Sequence, residues 1–555
     1  MNKEQTTGVL NLLYTMQEAC RAIYHSAEGR NHAQFQQLYM DMLEGTKHIL
    51  RIAEENETSG YKILRPACKS VEDSLCRIST YFGQNSNMCL KKIEFELLPL
   101  LQEAYQNFYF FQYVKENPEL LPNYYGEKLK FLGSNAYIDE SIERGRFKYE
   151  VSIIVLAYNK LEYTKACVKS LLANIPKGLN YELILVNHGS SDGTKEFFES
   201  VHPHKQLDLA VNGGGFNAMS RIAEGEFLLQ ISNDVVITPH VIENLLVCIR
   251  SDSKIAWVVP STPNVSNFQT ISAQYNNLEE LQQFAQKNNQ SDPFRWEQRV
   301  RLCNPIHIIR SSLIASSGLC PGGYYHTFDE NYYNSFPDDR LSLLLRRNGY
   351  KMMLAKDAYC HHFGSVTLKD EIAQQGEQQY YTEGQQLFHK AFGVTPWGTG
   401  FCFDAVFLDR VVGEESGHIE ILGINCGLGS NSLKIKEQIK EYCHNMDTHL
   451  SNITDDLNFL EDLKGISDTA VIVSTIKDLK RFMQNHTYQY IVWETPFLIK
   501  YKFKTVLSYC LDALAPEGKL IIKLTSQSRE IVLRKFPQRK ELGNDWVVCE
   551  HGNQL

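Results

Sequence analysis

The chain has 555 residues, a formal net charge of −9 and 22% charged residues, the composition of an ordinary globular protein. This length exceeds what one hydrophobic core supports, so two to four domains are expected, and the acidic balance argues against nucleic-acid binding as the main function. Fourteen cysteines lie without CxxC pairs, which indicates neither a zinc site nor a disulfide framework and favours a reducing, cytoplasmic compartment.

The start of the chain, MNKEQTTGVLNLL, lacks a basic segment followed by an apolar one, so no signal peptide is expected. No apolar run reaches the ~18 residues that span a bilayer. We therefore expect at most peripheral contact with a membrane.

Residues 1–125 are predicted to form an all-α helical bundle. Apolar residues recur at helical spacing over 10–20 and 35–43, and the aromatic-rich stretch 93–114 continues this pattern. We interpret its aromatic side chains as core or as a domain contact. Residues 126–147 are predicted to be a linker before a second domain at 148–400.

Three short apolar runs open the second domain and predict buried strands of a mostly parallel sheet. They cover residues 153–156, 183–186 and 227–231. In open α/β sheets ligands bind outside the carboxyl ends of the strands, and each of these runs ends in polar residues. The sequence therefore predicts a ligand site there, formed by Tyr158, Asn159, Asn187, His188, Ser232, Asn233 and Asp234.

Two further features lie close to these strand ends in the sequence. In the loop NGGGFNA at 212–218, Gly214 and Gly215 are either part of a plain turn or contacts for a phosphate, which backbone N–H groups bind well. Asp234 is either a turn residue or a ligand for Mg²⁺ or Mn²⁺, hard cations that prefer carboxylate and phosphate oxygen.

Asp338 and Asp339 stand before an apolar-periodic helix predicted over 341–347. Acidic residues at this position cap a helix well. The other interpretation is a general base, since a carboxylate held near its partner can accept a proton from an attacking hydroxyl. His361 and His362 follow a strand-like segment, and one imidazole is either a metal ligand or a packed side chain.

Seven short motifs follow one another over residues 150–370: LAYN, VNHGSSDGT, SND, GGYYHTFDE, PDDRL, NGY and CHH. This order resembles the family 2 glycosyltransferases with the GT-A fold. The resemblance implies an α/β nucleotide-diphospho-sugar transferase domain with Mn²⁺ or Mg²⁺, and one inverting displacement of a nucleotide sugar. The metal would neutralise the diphosphate leaving group while a carboxylate deprotonates the acceptor hydroxyl.

The resemblance also assigns roles to individual residues. It implies metal binding by Asp234 and His361, and a general base at Asp338 with Asp339 second. Asn187 stands where the family has an Asp and Ser232 where it has the first acid of the metal triplet, which predicts altered base recognition and modest metal affinity. The implied contacts of the nucleotide sugar are Ala157, Tyr158, Asn159, Asn187, Gly214, Gly215 and Asn233.

Residues 415–555 are predicted to form a Rossmann-like sheet. HIEILGINCGLGSNSL reads as a strand and a GxG turn that contains Asn425, Cys426, Gly427 and Gly429, and YQYIVWETPFL with LSYCLDALAPEGKLIIKL supplies later elements. The pattern resembles class I methyltransferases, with Asp447 as the candidate acid after a second strand. We interpret it as a degenerate domain for packing, dimerisation or acceptor docking, without S-adenosylmethionine.

The leading hypothesis is a cytoplasmic enzyme that moves a sugar, from a UDP-sugar or a related donor, to a hydroxyl of a surface glycan or a surface protein such as flagellin. The alternatives are a bifunctional glycosyltransferase and S-adenosylmethionine-dependent methyltransferase, and a non-catalytic sugar-nucleotide-binding scaffold. No nucleic-acid partner is expected, and homo-oligomer formation is left open.

Overall fold

The computed structural model describes residues 3–28, 32–79, 89–109 except 91 and 94–96, 112, 147–209, 223–311, 336–364, 382–397 except 383, 384, 387 and 391, 401–484, 486–496 and 503–550. The predicted linker, apart from residue 147, and the glycine-rich loop 212–218 lie outside these ranges. Within them, no helix has the length and apolar character needed to cross a membrane.

The described part of residues 1–125 is helical, as the spacing predicts. Each helix carries an apolar stripe that has to be buried, and the four stripes meet in one core around Leu13, Ile49, Leu64 and Phe108. The helices are α1 (Lys3–Glu28), α2 (His32–Glu54), α3 (Ser59–Ser79) and α4 (Leu98–Tyr109).

Among the described residues of the second domain, eight strands form one sheet with the order β3-β2-β1-β4-β8-β6-β9-β7. Its strands are β1 (Tyr149–Ala157), β2 (Tyr181–Asn187), β3 (Lys205–Asp208), β4 (Gly225–Ser232), β6 (Ile255–Ser261), β7 (Trp296–Gln298), β8 (Ile306–Arg310) and β9 (Lys351–Tyr359). A separate two-stranded sheet pairs β5 (Val235–Val236) with β10 (His361–His362). The associated helices are α5 (Leu161–Asn174), α6 (Thr194–Val201), α7 (Val241–Arg250), α8 (Leu278–Asn288) and α9 (Pro337–Arg347).

The three predicted strands are confirmed as parts of β1, β2 and β4, and β1 pairs in parallel with both of the others. β8 and β7 run against the remaining strands of the sheet, so the sheet is mostly parallel. β1 is buried on both faces from Val151 to Ala157, which explains its continuous apolar run. The carboxyl ends of β1, β2 and β4 consequently meet at one edge.

In the part of the third domain that the structure describes, seven strands form a sheet with the order β13-β12-β11-β14-β15-β17-β16. All neighbours from β13 to β15 are parallel, and β17 is antiparallel to both of its neighbours. The strands are β11 (Ile419–Ile424), β12 (Thr448–Thr454), β13 (Thr469–Ile472), β14 (Tyr488–Trp493), β15 (Leu514–Lys523), β16 (Lys540–Gly543) and β17 (Trp546–Glu550). The helices are α10 (Ser430–Cys443), α11 (Leu457–Lys464), α12 (Ile476–Met483), α13 (Phe503–Asp512) and α14 (Arg529–Lys535).

The assignment of Asp447 to the end of a second strand is wrong. Asp447 precedes β12, and its carboxylate lies 2.7 Å from the ring Nδ1 of His418 at the amino end of the sheet. Asp455 follows β12 instead, at the carboxyl end where ligands of such sheets bind. The error arose because THLSNIT has little apolar character and was not recognised as a strand.

Gly225, the first residue of β4, marks a close approach of β4 to β1. Its N–H donates to Ser152 Oγ at 2.9 Å, and a Cβ at this position would lie 2.4 Å from the backbone nitrogen of Ser152. A side chain can be accommodated only if the two strands move apart, so glycine is required here for space.

We expect Gly225→Ala to lower the free energy of unfolding by about 1–3 kcal/mol through overpacking. Gly8→Ala is the matched control, because nothing lies within 4 Å of a Cβ in that exposed turn of α1 and alanine favours a helix by up to ~1 kcal/mol. Urea unfolding of both variants measures the difference. Equal stability of Gly225→Ala and the wild type would contradict the close approach.

Candidate active site

The polar residues at the ends of β1, β2 and β4 form one hydrogen-bonded network. The Asn159 N–H donates to Ser190 Oγ at 2.8 Å, and the Ser190 N–H donates to Asn187 Oδ1 at 2.9 Å. Asn233 Nδ2 donates to the Asn159 carbonyl at 3.0 Å and to Thr164 Oγ1 at 2.9 Å. The structure therefore brings together the strand ends that the sequence indicated.

The turn GSSDGT holds this network through Asp192. The carboxylate accepts the Leu161 N–H at 2.7 Å and the Thr194 N–H at 3.2 Å, so it caps the starts of both α5 and α6. A carboxylate at a helix start satisfies N–H groups that have no partner within the helix, and the contact with Leu161 ties the turn to the segment that follows β1.

The candidate contacts of a nucleotide sugar occupy different environments. Ala157 is buried, and its carbonyl accepts the His188 N–H at 2.8 Å, whereas Tyr158 and Asn159 are half-buried. Asn233 uses both hydrogens of its amide on neighbouring residues, so it orients the Asn159 turn. Gly214 and Gly215 lie outside the described residues, and their contact with a phosphate stays a prediction.

Asp208 is a residue of this edge that sequence reasoning missed. It ends β3 directly beside Asn187 in the parallel register, and Asn187 Nδ2 donates to Asp208 Oδ1 at 3.0 Å. Asn187 is 3% exposed while Asp208 is half-buried, so the carboxylate is the more accessible member of the pair. The adjacent strand thus places a carboxylate directly beside Asn187. β3 has only four residues, too short a run to be recognised in the sequence.

The second histidine of the CHH motif, rather than the first, lies beside Asp234. β10 pairs antiparallel with β5, which places His362 opposite Val235, and His362 Nε2 lies 3.3 Å from Asp234 Oδ2. Successive residues of a strand point to opposite faces, and His361 Nδ1 lies 2.6 Å from the Tyr275 hydroxyl. Asp234 is therefore adjacent to His362, and the role of His361 as a metal ligand stays a prediction.

Asp234 and His362 suit a divalent cation only in combination with other ligands. Within the part of the chain that the structure describes, no group of three or more His, Cys, Asp and Glu side chains could hold a metal ion. One carboxylate and one imidazole leave further positions that phosphate oxygens commonly fill on Mn²⁺ or Mg²⁺. The donor set thus fits a cation that arrives with a diphosphate.

Asp338 and Asp339 lie in the first turn of α9 and have different surroundings. Asp339 is 2% exposed and forms a buried ion pair with Arg301, whose Nη2 lies 3.4 Å from Asp339 Oδ2. Desolvation and the neighbouring Asp339 raise the pKa of Asp338 to about 7, although Arg301 and the Asn304 backbone N–H oppose that shift. The two carboxyl groups are therefore distinguished, with Asp339 held by arginine and Asp338 poised to exchange a proton near neutrality.

Backbone contacts connect Asp338 to the Asp234 edge. The Asn304 N–H that Asp338 accepts precedes Pro305, whose carbonyl accepts the Ser232 N–H at 2.9 Å. Ser232 ends β4, two residues before Asp234. The candidate base and the candidate metal ligand are thus linked through one short stretch of backbone.

The loop after β11 in the third domain is enclosed by its own chain. Asn425, Cys426 and Asn431 are each at most 5% exposed, and Asn425 Nδ2 donates to Asp455 Oδ1 at 3.0 Å. Asn431 Nδ2 donates to Glu494 Oε2 at 2.7 Å and its Oδ1 accepts the Asp404 N–H at 2.8 Å. These amide groups are thus engaged in hydrogen bonds within the chain, and the absence of S-adenosylmethionine from this domain stays a prediction.

The pKa of Asp338 has a consequence for stability. Its folded-state pKa of about 7 exceeds the ~3.9 of an ordinary Asp, so the folded protein binds this proton more tightly and loses stability as pH rises from about 4 to 7. We expect Asp338→Asn to be more stable than the wild type at pH 8, by a margin that shrinks as pH falls. Urea midpoints from pH 5 to 8 test this, and a margin independent of pH would refute it.

Comparison with known proteins gives a match to one family model and distant similarity to solved structures, among them two glycosyltransferases. No curated protein matches the chain. A crystal structure of GalNAc-T7 with UDP, GalNAc and Mn²⁺ is 11% identical, with coverage of 39% of this chain and 44% of that chain and a TM-score of 0.29. The mannosyltransferase PcManGT from Pyrobaculum calidifontis, in complex with GDP-Man and Mn²⁺, is 15% identical, with 49% and 71% coverage and a TM-score of 0.30.

This chain spans less than half the length of the first of these structures, and both TM-scores are too low to establish a shared fold. The family match, in contrast, is a match of the amino-acid sequence itself. Residues 152–298, which include most of β1, all of β2 to β4 and Asp234, match the family model described as Glycosyl transferase family 2. The match covers less than half of the chain, so what it shows is that these residues are similar to a glycosyl transferase family 2 domain.

Proposed function

We propose that the chain is an inverting, metal-dependent glycosyltransferase that moves a sugar from a nucleotide diphosphate donor, a UDP-sugar, to a hydroxyl group. The observation that carries this proposal is the strand edge of Asp234 and His362, within or next to the residues that match the family model, to which the Asp338 carboxyl is linked through Asn304 and Pro305. The raised pKa of Asp338, about 7, agrees with this placement. A general base works best when its pKa lies near the working pH. Sugar transfer to a hydroxyl needs such a base, because the hydroxyl loses its proton as the new bond forms.

Each part of this edge has a role in the proposed reaction. Asp338 accepts the proton of the acceptor hydroxyl, while the Arg301 ion pair keeps Asp339 fixed beside it. Asp234 and His362 would hold Mn²⁺ or Mg²⁺ on the donor diphosphate. When bound, the cation neutralises the charge that develops on the leaving nucleoside diphosphate.

We propose that the half-buried Asp208 binds the nucleobase. A carboxylate accepts an N–H such as that of uracil, and Asn187 holds the Asp208 carboxylate at the edge by a 3.0 Å hydrogen bond. This pair would replace the Asp that the family resemblance places at position 187.

The remaining parts of the proposal rest on the family resemblance. The acceptor would be a surface glycan or a surface protein such as flagellin, and the reaction would take place in the cytoplasm. The enclosed loop after β11 favours a single activity over a bifunctional methyltransferase. A non-catalytic scaffold differs in one measurable respect, because it would bind the nucleotide without turning over the sugar donor.

The proposal is tested by thermal shifts with UDP, GDP and dTDP, each with and without Mn²⁺, and by release of UDP from UDP-sugars. A ligand of the folded state raises the melting temperature. We expect a Mn²⁺-dependent shift with UDP that is lost in Asp234→Ala and His362→Ala.

His361→Ala is the matched control, since its ring faces Tyr275 and should leave this shift in place. Loss of the shift in His361→Ala but not in His362→Ala would reverse the metal assignment. Nucleotide binding without turnover of any donor would support the scaffold, and absence of both would contradict the proposed function.

A further inference from the structure

Helix α9 connects the candidate base to the third domain. Asp338 lies in its first turn, and Arg346 and Arg347 lie in its last turn. Both arginines bind Asp462 of α11: Arg346 Nε is 2.8 Å from Oδ1, and Arg347 Nε is 2.9 Å from Oδ2. Arg346 and Asp462 are completely buried, so this ion cluster lies within the contact between the two domains.

The backbones of the two helices also come into close contact at this point. A Cβ on Gly465, the residue that follows α11, would lie 2.0 Å from the carbonyl oxygen of Arg346. No larger residue fits without separating α11 from α9. The end of α9 is thus held by the ion pairs with Asp462 and by the close backbone contact at Gly465.

Arg346 is also linked to the carboxyl groups at the other end of α9, through residues 300 and 301. The Arg346 guanidinium donates to the carbonyl of Val300, the residue before Arg301. Arg301 in turn holds Asp339, the neighbour of Asp338. The position of Asp338 therefore depends on Asp462 by two routes, along the helix and through residues 300–301.

A second buried charge cluster joins the same two domains. Glu297 of β7 is 4% exposed and lies 2.8 Å from Lys434 Nζ of α10 and 3.0 Å from Arg299 Nε. Lys356 lies 3.4 Å from Glu297 and also contacts Glu441 of α10. Buried charges of this kind are stable only with their partners in place, so the domains are not expected to separate or slide.

We infer that the third domain acts as a fixed clamp on α9, and that Asp462 is the positioning residue that sets the place of Asp338. The enclosed loop after β11 is consistent with a domain whose sheet supports a neighbour instead of a cofactor. The catalytic consequence rests on the proposed function, whereas the dependence of α9 on Asp462 does not.

Hydrogen exchange of the full-length chain tests the clamp without an activity assay. In Asp462→Asn we expect amides of 300–304 and 338–347 to exchange roughly tenfold faster or more, because one carboxylate charge that both arginines need is gone. Glu182→Gln is the matched control. It removes a fully buried carboxylate bound to Lys205 at the amino end of β2, and should leave exchange in α9 unchanged.

If Asp462→Asn does not fold, Arg347→Gln serves in its place, because Arg347 is 18% exposed and its loss leaves the Arg346 pair intact. The same selective loosening of 338–347 is expected. Unchanged exchange of α9 in a folded variant, or equal loosening in Glu182→Gln, would overturn the clamp.

The positioning role is measured separately by donor turnover in the folded variants. We expect Asp462→Asn to lower kcat about tenfold or more, leave the KM for the donor unchanged and shift the pH midpoint of kcat, since a small displacement of a catalytic group is costly. A normal kcat and pH midpoint despite a loosened α9 would refute positioning. If the wild type turns over no donor, the proposed function fails. The hydrogen-exchange result then still tests whether α9 depends on Asp462, because that measurement needs no activity.

Discussion

The buried ion cluster of Arg346, Arg347 and Asp462 is the constraint on which the arrangement of the second and third domains depends. A carboxylate that is completely buried has lost its hydration, and only closely placed cations and hydrogen bonds offset that loss. Asp462 receives both arginines from the last turn of α9, so the third domain cannot move without exposing charges to an apolar contact. The first turn of the same helix carries the candidate base.

The candidate site is assembled by strand pairing around a parallel sheet edge. β10 returns to pair with β5 immediately after Asp234, which brings His362 to the carboxylate. β3 pairs with β2 so that Asp208 lies beside Asn187, and the Pro305 carbonyl joins Ser232 to the backbone that binds Asp338. Residues that are far apart in the chain thus lie close together, because each is next to a strand whose end lies at the same edge of the sheet.

The parts of this architecture that could be predicted from the sequence were local. The continuous apolar runs of β1, β2 and β4, with polar residues at their ends, are visible without any knowledge of the fold, because a strand buried on both faces needs apolar side chains throughout. The helix after Asp338 and Asp339 is also visible from its spacing. The glycine-rich turn after β11 is visible because its glycines come directly after an apolar run.

The parts that were missed depend on register between distant segments. The choice between His361 and His362 is decided by which residue of β10 lies opposite Val235, and adjacent positions of a strand face opposite ways. Asp455 was missed because β12 is too polar to look like a strand. Asp462 resembles an ordinary acidic residue of a surface helix until its burial against α9 is known.

The central claim is that Asp338 accepts the proton of the acceptor hydroxyl. It is tested most directly by the pH dependence of kcat for sugar transfer by the wild type and by Asp338→Asn. The account predicts that wild-type kcat rises with pH to a plateau with an apparent pKa near 7, and that Asp338→Asn lowers the plateau by roughly 10²-fold or more and abolishes this dependence. A wild-type rate that is flat from pH 6 to 8, or an Asp338→Asn variant with the wild-type rate and profile, would contradict it.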